Sequence, residues 1–244
     1  MGMKVRLDWQ LKQGVAGWWN FSLILVLLFA FPLVLRVSRA LPADRPNEHP
    51  HAGLLRFSII VGSFLWACFA VAWIGIRRQG AVSPTELIGM SWHRWQSVVR
   101  DLGIAALTLA AMTVIGNVSN VWLARIDTQA SAYRAVTALL DKTEAAAFLI
   151  VALTAGFVEE FVFRGYLQKQ FQAFCGNVPL ASILQVLVFT QGHLYQGWIR
   201  LIPVALIGAL LTGVALWRRS LVPGIIAHGV GDSLVALSFF VRHA

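Results

Sequence analysis

Glu159-Glu160-Phe161-Val162-Phe163-Arg164 decides how this chain is read. Two adjacent acids and an arginine follow Ala145 to Val158, fourteen residues without a charge. A charge at the centre of a bilayer costs about 2.5–3.5 kcal/mol on insertion scales. Three such groups within six residues therefore need a reason. Either they neutralise one another inside a helical bundle, or they carry chemistry there.

The composition around this stretch excludes an ordinary soluble domain. Of 244 residues, 58% are hydrophobic and 13% are charged, with a mean hydropathy of +0.69. Soluble domains run at about 45–50% apolar and about 25% charged. With roughly 20 apolar residues needed per span, the length accommodates about seven to eight spans. The expected fold is an all-α polytopic transmembrane bundle forming one integral membrane domain. Candidate spans are 18–35, 54–76, 102–123, 145–163, 179–194, 199–217 and 221–241. The fourth is expected to continue to about Phe174 and to end near Gly176-Asn177. Residues 1–144 then hold N-terminal spans and interfacial segments, and residues 145–244 hold the motifs described below.

Breaks between the apolar runs carry their own signals. The segment 36–53, with Pro42, Pro46 and Pro50, reads as a loop. A helix start is expected near Ser83-Pro84-Thr85-Glu86, followed by an amphipathic stretch around Trp92-His93-Arg94-Trp95 suited to an interface. Residues 124–144 are expected to form another interfacial helix or a solvated face. The net charge of +9 sits mostly between apolar runs, which points to lipid headgroups and not to nucleic acid. Cys68 and Cys175 lie far apart without CxxC spacing, so neither a disulfide framework nor a cysteine metal site is expected.

On a helix that advances 100° per residue, Glu160 and Arg164 share a face and can pair. Glu159 is five residues from Arg164 and has no partner nearby in sequence. An unpaired, desolvated carboxylate is suited to general-base work. An ion cluster that holds helices together is the other reading. His193 closes an apolar run at Phe189-Thr190-Gln191-Gly192-His193, and Leu194 to Trp198 resembles an aromatic belt. His228 and Asp232 are four apart in the last span and share a face. An acid there can orient a histidine, or the two can form a packing pair. Polar residues inside membranes face the bundle interior and tend to meet. Converging, these groups can activate water. Glu159, His193 and His228 could instead bind zinc, since two histidines and a carboxylate form a catalytic zinc set.

The three motifs, EExxxR at 159–164, FxxxH at 189–193 and HxxxD at 228–232, resemble those of the CPBP intramembrane proteases, also called the CAAX protease and bacteriocin-processing or Abi family. Gly208, Gly213 and Ser220-Leu221-Val222-Pro223 fit the same pattern, and the resemblance covers residues 145–241. It implies an intramembrane endopeptidase acting on a membrane-anchored protein or peptide, within a bacterial cell membrane. By that resemblance Glu159 activates water, His193 positions it, and His228 donates to the oxyanion with support from Asp232. Glu160 and Arg164 form a supporting pair, and no cofactor is expected unless zinc binds. Asp232 stands where the prenyl-protein proteases of the family carry asparagine. An ionised Asp cannot donate to an oxyanion, so it is protonated, orients His228, or acts as a ligand. A non-enzymatic immunity or scaffold protein keeping these motifs is the alternative. A coupled transporter would show two related halves, and none is evident.

Overall fold

The computed structural model describes residues 14–37, 50–80, 82–90, 92–123, 125 and 142–242. Among them every regular element is helical. In chain order these are α1 (Trp18–Val37), α2 (Pro50–Gln79), α3 (Pro84–Ile88), α4 (Trp95–Leu123) and α5 (Lys142–Glu159). A π-helical segment (Glu160–Leu167) continues α5 directly into α6 (Gln168–Cys175). Then follow α7 (Val178–Gln191), two single 3₁₀ turns, α8 (Leu201–Arg218) and α9 (Val222–Arg242). The helix through α5, the π segment and α6 is the fourth expected span, and it stops at Gly176 in a left-handed conformation (φ 63°).

Among the described residues, five helical stretches are long and apolar enough to cross a membrane: 18–35, 55–79, 95–123, 142–175 and 198–218. Two shorter apolar stretches, 178–191 and 222–238, complete the set. The chain is a polytopic helical membrane protein. The expected fifth span, 179–194, is shorter than anticipated. Its helix ends at Gln191 after 14 residues, about 21 Å at 1.5 Å per residue. That is short of a hydrocarbon core of about 30 Å, so α7 alone is too short to cross it.

Other details follow from local chemistry. Ser83 caps α3 through Glu86 N–H, and the Glu86 carboxylate returns to Ser83 N–H, a complete capping box at the expected start. The amphipathic stretch expected around Trp92–Trp95 leads directly into α4. Its reason is Asp101, fully buried nearly two turns into that helix. Asp101 accepts from Trp92 Nε1 at 3.0 Å and from Arg218 Nε at 2.7 Å, tying the loop, α4 and the last turn of α8 together. Most of the expected loop 36–53 (residues 38–49) and most of the expected interfacial segment (126–141) lie outside the described residues, but the loop's ends, 36–37 and 50–53, are helical and belong to α1 and α2.

Helix α9 packs chiefly along α5 and α4. Its crossing with α5 is built on glycine. A Cβ on Gly156 would meet the Cα and N of Gly229 at 2.4 Å, and backbone atoms cannot move aside as a flexible side chain can. This close approach brings the polar residues of α9 against the π segment. Small residues permit such contacts between membrane helices. The contact is asymmetric, because a Cβ on Gly229 would find its nearest atom at 3.8 Å. Gly156→Ala is therefore expected to destabilise the protein by about 1–3 kcal/mol, as overpacking does, while Gly229→Ala leaves thermal unfolding in detergent essentially unchanged. Equal midpoints for the two variants would contradict this packing.

Candidate active site

Arg164 lies in the π segment with no exposed side-chain surface. Its Nη1 donates to Glu160 Oε1 at 3.0 Å, the i,i+4 pair expected from the sequence. Its Nη2 donates to the carbonyl of Gly208 on α8 at 3.2 Å. The guanidinium carbon stands 4.3 Å from the ring centroid of Phe189 on α7, and such a desolvated cation–π contact contributes about 2 kcal/mol. Gly208 has to be small, since a Cβ there would meet Phe189 Cδ1 at 3.0 Å.

Glu160 reaches further than its pairing with Arg164 suggests. Its Oε1 also accepts from His228 Nδ1 at 3.0 Å, across 68 residues of chain. The sequence carries no local signal for this bond; only the shared membrane setting of the motifs hints at it. The other ring nitrogen, His228 Nε2, faces Asp232 Oδ2 at 3.4 Å and Glu159 Oε2 at 3.9 Å. Glu160 thus engages one side of the imidazole, while Asp232 and Glu159 stand on the other. The Asp232 side chain is 44% exposed, unlike the buried Glu160.

The π winding, with i→i+5 bonding, begins at Glu160. Angles taken from an ideal α-helix therefore do not hold between Glu159 and Arg164. Glu159 Oε2 makes no hydrogen bond. Glu159 lines a cavity of about 50 Å³ together with His193. A cavity of about 10–15 Å³ on this measure suffices for one water.

His193 follows α7, whose early end sets its position. Its Nδ1 bonds the Phe189 carbonyl at 2.9 Å. A carbonyl only accepts, so Nδ1 carries the proton and a neutral ring leaves Nε2 as an acceptor. The aromatic belt expected at 194–198 is divided. Trp198 is exposed, whereas Tyr195 also lines the cavity, its ring 5.7 Å from Phe57 and 6.5 Å from Phe31.

Glu160 engages His228 Nδ1 and leaves Nε2 facing Asp232 Oδ2 at 3.4 Å and Glu159 Oε2 at 3.9 Å. N and O donors at about 2.0–2.2 Å from one tetrahedral zinc stand roughly 3.4 Å apart, so these spacings alone are compatible with a shared metal. Among the described residues, however, no three His, Cys, Asp or Glu side chains are grouped as a metal-binding set.

No curated protein and no solved structure matches the chain. Residues 141–234 match the family model described as type II CAAX prenyl endopeptidase Rce1-like. The match contains all six ionisable site residues predicted from the sequence, from Glu159 to Asp232. Over this stretch the chain is similar to that family, in line with the CPBP motifs that its sequence resembles.

Proposed function

We propose that this protein is a glutamate-type intramembrane endopeptidase that cleaves a peptide bond in a membrane-anchored protein or peptide. The observation that carries the reading is the division of labour between the two acids. Glu160 is fully buried and bonded to Arg164 and His228. Each acid keeps one oxygen without a hydrogen bond, but Glu159, unlike Glu160, borders the cavity that His193 also lines.

In this reading a water sits between Glu159 and His193 Nε2. Glu159 takes one proton from it as the oxygen attacks the peptide carbonyl carbon. His228 Nε2 faces the oxyanion that forms. With Nδ1 donating to Glu160, Nε2 can donate only when the ring carries both protons, and Asp232 and Glu159 are the carboxylates facing that second proton. Collapse breaks the C–N bond, and the leaving amine takes the proton held by Glu159. Glu160 is a positioning residue, acting through His228. No step is routed through a metal.

The direct test is comparison of protein termini in membranes from cells carrying the active protein and cells carrying Glu159→Gln. New termini are expected only with the active protein, and identical sets of termini at equal protein levels would sink the reading. His193→Ala should abolish the same cleavage while the protein still accumulates and unfolds at an unchanged temperature. The two acids should separate in their effects. Glu160→Gln is expected to lower yield and thermal stability, and Arg164→Met should cost about 3–5 kcal/mol, as breaking a buried pair does. Normal yield with dead catalysis in Glu160→Gln would exchange the roles of the two glutamates. Treating the purified protein with a chelator should leave its cleavage rate unchanged; loss restored by added zinc would overturn the metal-free step.

A further inference from the structure

The end of the bundle where α2 finishes, α4 starts and α8 turns into α9 has no part in the proposed chemistry. Across residues 77–101 and 218–220 it carries six arginines, Arg77, Arg78, Arg94, Arg100, Arg218 and Arg219, against two acids, Glu86 and Asp101. These segments are fastened to one another. Leu221 N–H donates to the Ile88 carbonyl at 2.9 Å, and Asp101 joins Trp92 to Arg218. Both acids are already committed. Glu86 is bound into the cap of α3. Asp101 is fully buried, and two guanidiniums converge on it. Arg218 Nε lies 2.7 Å and Arg100 Nε 4.0 Å from the same oxygen, Oδ1. One carboxylate between two guanidiniums leaves this spot short of one negative charge. Arg218 is largely enclosed, with 15% of its side chain exposed, whereas Arg100 is 54% exposed and open to a partner from outside.

Two further features bear on what supplies that charge. Trp92, Trp95 and Trp217 stand exposed next to these arginines in the chain, and tryptophans of membrane helices gather at the headgroup level. Arg219 ends α8 with φ 52°, the left-handed conformation usually left to glycine at helix ends. A side chain is strained there, and the one present is an exposed guanidinium. We propose that this end of the bundle binds one anionic phospholipid, whose phosphate engages Arg100 and Arg219. The inference does not depend on the peptidase reading. A phosphodiester supplies one negative charge, together with oxygens that a guanidinium engages in pairs. A zwitterionic lipid would bring its own cation into an arginine-rich spot and lose that gain. Clusters of about four to eight basic residues beside a membrane helix attract anionic headgroups, and the exposed Arg77, Arg78 and Arg94 extend the field around the pair.

Native mass spectrometry of the full-length protein released from detergent micelles tests this, with phosphatidylglycerol and phosphatidylcholine of equal chain length as probes. Phosphatidylglycerol is expected to stay bound severalfold more than phosphatidylcholine, as a single adduct. Arg219→Gly should remove most of that preference while unfolding at no lower a temperature, because glycine adopts the left-handed conformation without strain. Arg100→Gln, at a half-exposed position, should weaken the preference likewise. Arg125→Gln, at an exposed arginine beyond the other end of α4, should leave it unchanged. Millimolar inorganic phosphate should not displace the lipid. Equal retention of the two lipids, an undiminished preference in Arg219→Gly and Arg100→Gln, or an equal loss in Arg125→Gln overturns the site. Displacement by inorganic phosphate would reveal a free-anion site and overturn the lipid as its ligand.

Discussion

Burying the Arg164 guanidinium in the middle of a membrane bundle is the constraint on which the rest of the site depends. The side chain cannot reach water, so its charge must be met by protein; two of its nitrogens are met there too, while Nε has no hydrogen-bond partner. Glu160 meets the charge, Gly208 supplies a carbonyl and Phe189 supplies a ring face. Through Glu160 the set extends to His228. One cation thus gathers α7, α8 and α9 around the π segment, and these are the helices that precede, face or carry the remaining site residues. The arrangement is enthalpically favourable only as a whole. Removing either partner of a buried ion pair leaves an uncompensated charge, which is why such pairs are costly to break.

Packing makes this convergence possible. The backbone contact between Gly156 and Gly229 brings α9 against α5, and the small Gly208 leaves room for Phe189 and Arg164 together. The end of α7 then places His193 at the cavity bordered by Glu159. Helices α1 and α2 close that cavity from the other side. The site is therefore not confined to the C-terminal motif region, although all its ionisable members come from there.

Much of this was legible in the sequence, for identifiable reasons. Apolar run length reveals the spans, because lipid imposes a strict length on them. The Glu160–Arg164 pair follows from four-residue spacing, and the start of α3 from the Ser83 and Glu86 pattern. What stayed hidden depends on contacts between distant segments. The bond from His228 to Glu160 has no local signature, and neither does Asp101 meeting Arg218 across 117 residues. The π winding escaped because a hydrophobic run looks the same whether it winds as α or π. Tyr195 was read as part of a belt from its neighbours, whereas its ring is drawn inward by Phe31 and Phe57.

The central claim is that Glu160 holds His228 by Nδ1 and leaves Glu159 for reaction. Nitrogen NMR of the protein in lipid, with ¹⁵N-labelled histidine, tests it most directly. The His228 Nδ1 signal should be that of a protonated, hydrogen-bonded nitrogen. It should shift strongly in Glu160→Gln and little in Glu159→Gln. A His228 Nδ1 signal that ignores Glu160→Gln, or that responds chiefly to Glu159→Gln, would contradict the account.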